Sequence, residues 1–362
     1  DERGGASLGA LLDLRGATST MALTVEATAT GADRTAMSGR RQAVVHRGEY
    51  YVGYSQDTCF VEAGKELALS LIAARPDGAL EPGQTVTAEI VRQQWISVRR
   101  AGYGGRYQWY SERRDSTVLR TSLVTGPGPV SLAFVPTRPG FYVFRLRSAD
   151  RRGNPVAAGG YFYATGAGAV SWEARNDDRI DLVADKRSYA PGERARIMVK
   201  SPYPSCTALV TVEREFVLSQ RVVALTGSAP VIELPVEAEH LPNVYVSVVL
   251  LRGRLAAQRF AEDGGDLSKP AFKIGYINLA VDPGSKRLQL AVASDQPSYL
   301  PRDSVRIDLT VRDARNKPAE AEVTLAVVDR GVLNLIDFAT PDAFGAFYGP
   351  RPLSVETAET RL

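Results

Sequence analysis

Short runs of alternating apolar and polar residues recur along the chain. Ala22–Thr30 reads ALTVEATAT, a period of two rich in Val and Thr, which predicts a half-buried strand. The same pattern predicts strands at Leu67–Ile72, Thr85–Val91, Val130–Val135 and Phe141–Leu146. Further strands are predicted at Ala195–Val199, Ala208–Val212, Val231–Val236, Val244–Leu251, Leu288–Ala293, Val305–Val311 and Glu322–Val328. Between them stand turn formers: PDG at Pro76–Gly78, GPGP at Gly126–Pro129, RPG at Arg138–Gly140 and RGNP at Arg152–Pro155. No segment holds a helical period for ten residues. Many short strands punctuated this way predict an all-β chain of antiparallel sandwiches with fibronectin- or immunoglobulin-like architecture.

An internal repeat sets the domain length. Ser188–Val199 (SYAPGERARIMV) returns as Ser298–Leu309 (SYLPRDSVRIDL), and Asp185 returns as Asp295. A weaker copy, Val61–Leu71 (VEAGKELALSL), precedes both. Each copy is a tight turn feeding an amphipathic strand. The spacing is too long for a solenoid and suits one sandwich per copy. A second phrase, DRRGNP at Asp150–Pro155 and DARNKP at Asp313–Pro318, reads as a type I-like turn that closes a unit and leads into another strand. The chain is thereby divided into four pieces: 1–45, the last strands of a partial domain; 46–168, a whole sandwich with a long hairpin; 176–262, a second whole sandwich; and 275–362, the start of a further one. Gly166–Gly168 and Glu262–Ser268 read as linkers. The first apolar alternation begins almost at once without a leader, and the last residues, SVETAETRL, carry no Gly or Pro punctuation, so the chain is read as a piece of a longer one.

Composition narrows the chemistry. Lys+Arg 44 against Asp+Glu 41 leaves +3, which gives no general attraction to nucleic acid or anionic membrane. No apolar run is long enough to span a bilayer, and no leader-like segment opens the chain. Two Cys and two His are too few for a Cys/His metal cluster and thin the supply of catalytic bases. His46 and His240 are far apart and read as ordinary surface or edge residues, and Cys59 and Cys206 as buried unpaired thiols in different domains. The acidic pairs Asp177–Asp178 and Glu262–Asp263 read as polar linkers in preference to calcium ligands. Glu213 and Arg214, adjacent on one strand, point to opposite faces and read as an interdomain contact. No phosphate loop and no nucleophile-elbow serine are present. No catalytic, cofactor or metal residue is therefore nominated.

One stretch departs from the neutral background. Arg92–Arg114 holds six Arg, one Glu and five aromatics. Within it Trp95, Arg99, Arg100, Tyr103, Tyr107 and Trp109 are candidates for partner contact. Stacking on single-stranded bases is a second reading, and a solvated hairpin whose Arg stems cover apolar surface is a third.

The ordered phrases Asp185–Val199, Ser201–Leu218, Leu241–Arg254, Leu325–Phe338 and Phe347–Val355 resemble the bacterial alpha-2-macroglobulin family, strongly over about residues 180–355 and loosely over 20–165. The resemblance implies tandem macroglobulin-like sandwiches from a periplasmic protein, with the inner membrane as an expected anchor for the parent though not for this piece. It implies a protease trap: a protease cuts a bait segment, the molecule rearranges and encloses it. Proteases and the parent's own neighbouring domains are then the partners, and the bait is expected at or just beyond the end of this chain. Many members add a thioester from Cys-x-Glu-Gln. Neither Cys59 nor Cys206 has Gln three positions on, so that motif is absent from this chain. The competing reading is a non-enzymatic binding module of a cell-envelope adhesin or sugar-binding protein.

Overall fold

The structure, a computed structural model, describes residues 19–32, 34–101, 107–166, 170–173, 177–256, 268–300, 302–328 and 340–358, with a few single positions before 13. The side chains of 99–101 and 107–109 are not described. The chain divides into two compact units, 1–94 with 113–166 and 95–112 with 167–362.

In the first unit, β1 (Met21–Thr30) and β2 (Ala36–Val45) form an isolated antiparallel hairpin, exposed along almost its whole length. Eight strands come next: β3 (Tyr51–Gln56), β4 (Phe60–Glu62), β5 (Leu67–Ala74), β6 (Thr85–Ala101), β7 (Tyr107–Val124), β8 (Val130–Phe134), β9 (Gly140–Ala149) and β10 (Pro155–Thr165). They make one sheet in the order β3-β5-β8 and another in the order β4-β10-β9-β6-β7. Alternation decides which face is inside. In β9 Tyr142, Phe144 and Leu146 are buried; in β5 Leu67, Leu69 and Leu71 are. The two inner faces close on a core that also takes in Ile90 and Phe162. Burying each such side chain contributes about 1.5–3 kcal/mol.

The second unit repeats this plan strand for strand. β11 (Leu182–Ala184), β12 (Ser188–Tyr189), β13 (Arg194–Val199), β14 (Ser205–Glu213), β15 (Val217–Thr226), β16 (Val231–Pro235), β17 (Asn243–Arg252) and β18 (Ala271–Val281) form sheets ordered β11-β13-β16 and β12-β18-β17-β14-β15. Even the unusual pairing recurs: β4 runs parallel to β10, and β12 runs parallel to β18, while the other ladders are antiparallel. A separate core gathers Ile197, Val199, Val210, Val246, Val248 and Leu250. The turn shared by the repeats is closed alike in both units. Gly64 (φ +89°) donates to the Pro136 carbonyl, and Gly192 (φ +95°) to that of Val236. A left-handed backbone at these positions favours glycine.

Past β18 the chain makes β19 (Gln289–Ser294), β20 (Ile307–Arg312) and a short helix α1 (Ala343–Tyr348). β19 and β20 pair antiparallel and sit where the repeat would place the counterparts of β11 and β13.

The all-β expectation holds, and the structure changes several details. The second sandwich does not stop at 262: β18 pairs with β17 from Asn243↔Ala280 to Arg252↔Ala271. Lys273, Gly275 and Asn278 interrupt its apolar alternation, and this hides it in the sequence. Glu322–Val328, expected as a strand, has no ladder and is mostly exposed. DRRGNP and DARNKP fold alike but occupy different places. The first joins β9 to β10, whereas the second comes after β20, the counterpart of β13, and meets only a single bridge, Arg312↔Pro318.

Candidate functional site

Two places concentrate unusual chemistry. The first is the hairpin β6–β7, whose strands of 17 and 18 residues exceed the sandwich strands beside them. At its base Glu89, 8% exposed, accepts from Arg120 at 2.6 Å and Thr117 at 3.3 Å, with Arg145 at 3.6 Å. The Arg120 guanidinium, with smaller help from Thr117 and Arg145, holds the Glu89 carboxyl below the usual range against the opposing effect of burial. Gln93 donates to Asp115 (3.2 Å), and Ser97 and Ser111 are bonded at 2.8 Å farther out. Ile96, Val98 and Tyr110 stand exposed.

Of the sequence candidates, Trp95 is half-buried on β6, and its carbonyl accepts from the Ser171 hydroxyl at 2.5 Å. The same short stretch is held by Ser228, whose hydroxyl accepts from the Val170 amide (2.7 Å) and whose carbonyl accepts from the Trp172 indole (2.6 Å). Arg99 and Arg100 lie on β6, and Tyr107 and Trp109 on β7, with side chains outside the described set; Tyr103 lies outside the described residues. The hairpin thus gathers the nominated positions on two adjoining strands, and among the described residues only Trp95 shows a contact.

The second place is marked in the sequence by Glu213 and Arg214, which read there as an interdomain contact; Arg214 instead bonds carbonyls of its own sandwich. This place lies at the irregular end of β14, where the register against β15 shifts between Val212 and Glu213. Arg214 is buried, and its Nη1 donates to the carbonyls of Leu241 (2.8 Å), Asn243 (3.2 Å) and Glu239 (3.3 Å). Its Nε donates to Glu215 at 2.6 Å. Arg214 first, and Arg351 as well, hold the Glu215 carboxyl below its ordinary value. The neighbouring Glu213 is 2% exposed; one oxygen takes the Thr211 hydroxyl and the other has no partner. Glu213 and Arg214 make no ion pair with each other, in keeping with their adjacent strand positions.

The turn that Arg214 holds carries His240. It is 5% exposed, which corrects the surface reading. Its Nδ1 accepts from the Glu237 amide at 3.0 Å, so that nitrogen carries no proton. Burial pushes its pKa down, Arg214 adds to this, and Glu237 and Glu239 oppose it. His46 is exposed, as the surface reading expects, and stands beside Tyr51 with Nδ1 to hydroxyl 2.9 Å. Both cysteines are free. Cys206 is buried, and burial raises its thiol pKa against a weak Ser201 contact; Cys59 is half-buried. Asp177 and Asp178 turn their carbonyls to Lys273 and to the Ile274 amide, fixing that stretch beside β18; Glu262 and Asp263 lie outside the described residues. Among the described residues no group of three His, Cys, Asp or Glu could hold a metal. No helix among them is long and apolar enough to cross a membrane.

Tandem eight-stranded sandwiches of one topology, each with the same glycine turn at Gly64 or Gly192, define a macroglobulin-like fold. A family model described as the alpha-2-macroglobulin bait region domain matches residues 180–335. An alpha-2-macroglobulin homolog of Nostoc sp. is 29% identical over 300 residues, 83% of this chain. One from Deinococcus radiodurans is 28% identical over 278 residues, 74% of this chain. Over residues 180–335 the chain thus resembles the alpha-2-macroglobulin bait region domain, and over most of its length it is similar to alpha-2-macroglobulin homologs. It spans 16% and 24% of the length of those two relatives. Among solved structures, the native conformation of Escherichia coli alpha-2-macroglobulin aligns with 92% of this chain and 22% of its own, at 16% identity and a TM-score of 0.34. The bait-region model overlies the second sandwich together with β19 and β20, and ends before the position at which the sequence reading places the bait.

Proposed function

We propose that this chain is part of the scaffold of an alpha-2-macroglobulin-like, broad-range protease inhibitor. The observation that carries the reading is the bait-region domain match across 180–335, laid over a folded sandwich and its continuation. In this reading the sandwiches are rigid supports. They hold a cleavable segment and pass the consequence of its cleavage to the parent's other domains, which then enclose the protease. The chain contributes no catalytic residue. Its partners are proteases, met through the whole parent, and the parent's neighbouring domains, for which the β6–β7 hairpin with Trp95 is the proposed contact. The parent works in the periplasm. The covalent step of many family members is not assigned to this chain, because neither cysteine begins Cys-x-Glu-Gln.

Limited proteolysis of the full-length parent tests this. Cuts clustered near or beyond Ala358, with subsequent compaction and co-purification of the protease, are the expected result. Scattered cuts with unchanged hydrodynamic size would overturn the reading.

A further inference from the structure

Residues 349–355 return to the second sandwich by a route that uses their backbone more than their side chains. Asn243, 2% exposed, spends both ends of its amide on one residue: Nδ2 donates to the Arg351 carbonyl (3.0 Å), and Oδ1 accepts from the Arg351 amide (2.8 Å). A buried side chain here plays the part of a neighbouring strand. Three residues on, the Ser354 amide donates to the Arg214 carbonyl at 2.8 Å. Only one side chain of the segment is read by charge: Arg351 Nη1 lies 3.2 Å from Glu215 Oε1. Leu353 and Val355 are half-buried, alternating with the exposed Pro352 and Ser354 as a strand laid on a surface would.

The receiving side is also held by bonds that do not involve its occupant. Arg214 is fixed by three carbonyls and Glu215, and Asn243 Nδ2 also reaches Asn278 Oδ1 at 3.1 Å. The chain just before the segment has its own attachment. Arg287, in the turn after β18, lies over the Phe344 ring at 4.0 Å, and Phe344 packs on Tyr348 at 4.9 Å.

We infer that Arg214, Glu215 and Asn243 form a backbone-reading notch for an extended, arginine-bearing peptide, and that residues 349–355 are its resident occupant. The stretch from 288 to 342, with β19 and β20, is then an excursion latched at both ends to one sandwich. A break inside it leaves the downstream piece attached. Bonds to backbone groups are indifferent to sequence, so selectivity falls to the Arg351–Glu215 pair and the seats of Leu353 and Val355. The inference stands on these contacts alone and not on the proposed function.

The test uses the full chain with a recognition sequence for a site-specific protease inserted between Arg315 and Asn316, in the exposed turn after β20. After cutting, the two pieces are expected to co-elute on size exclusion under native conditions. Ser354→Pro, which deletes the donor N–H without touching the sandwich, combined with Arg351→Ala, is expected to release the downstream piece. In the uncut chain the Arg351 and Ser354 amides should exchange slowly. Asn243→Ala should speed Arg351 at least tenfold while the Val246 amide stays protected, which shows that the sandwich is still folded. Separation of the pieces without any substitution would sink the inference. So would co-elution undiminished by the double substitution, or fast exchange at both amides in the unsubstituted chain.

Discussion

Asp185 and Asp295 do the same work in successive copies of the repeat. Asp185 Oδ1 accepts from the Tyr189 hydroxyl (2.7 Å) and the Arg196 amide (3.0 Å); Asp295 Oδ1 accepts from the Tyr299 hydroxyl (2.5 Å) and the Arg306 amide (3.1 Å). The Tyr299 hydroxyl, ahead of the Arg306 amide, keeps the exposed Asp295 carboxyl below its ordinary value against an opposing desolvation. This device was legible in the sequence, because the Asp-to-Tyr spacing is short and repeats. The Arg214 notch was not legible. Its partners lie 25 to 29 residues away in the turn, and 136 and 108 residues separate Arg351 from Glu215 and Asn243. The available signal was a charged pair inside an apolar strand, Glu213 and Arg214 within LVTVEREFVL. His240 makes this corner pH-sensitive. Its pKa is depressed in the folded chain, so the unfolded chain takes a proton first as pH falls below 6.5. Stability is therefore full above that value and falls below it, by at most about 1.4 kcal/mol per pH unit from this residue. The opening free energy read from amide exchange in β17 between about pH 7 and pH 5 should show this slope, and His240→Asn, which removes the titration, should flatten it.

Strands meet most closely where one of them carries glycine. In β10 a Cβ built on Gly160 would stand 2.5 Å from the Tyr54 hydroxyl and 2.6 Å from Phe144 Cζ. Tyr54 and Phe144 pack edge to face there, centroids 4.8 Å apart, and Phe144 is fully buried. Gly160→Ala therefore forces a shift in a packed core and should cost about 1–3 kcal/mol, read from amide exchange in β9 and β10. Pairing it with Tyr54→Phe, which removes the nearest of the three atoms within 3 Å of that Cβ, should recover part of that loss, because contacting positions are not additive. Elements that carry a clean period of two, such as β5 and β9, could be read from the sequence. β18 could not, since a strand held between β17 and β12 draws its order from ladder bonds that no local pattern displays. The converse holds for Glu322–Val328: the apolar run is there, but a strand exists only with a partner beside it.

The two sandwiches share a topology but no core residue. Leu69 and Phe144 belong to one cluster, Val246 and Leu250 to the other. Repetition at this scale was visible in the sequence through the turn phrase, while the pairing of sheets became clear only when β4 and β12 were found parallel to β10 and β18. Separate cores imply that damage stays local. Leu69 is fully buried, and Leu69→Ala removes its methyl groups and leaves a cavity, a loss of about 2–5 kcal/mol. That loss should appear as faster hydrogen exchange across β5, β8 and β9, with the Val246 and Leu250 amides of β17 unchanged. A chain of several cores has no single unfolding free energy, so residue-resolved exchange is the proper measurement and a single melting temperature is not. Equal acceleration in both clusters would mean that the sandwiches unfold as one body. Acceleration confined to the first would mean that each sandwich keeps its shape when its neighbour is disturbed, as the proposed scaffold role requires.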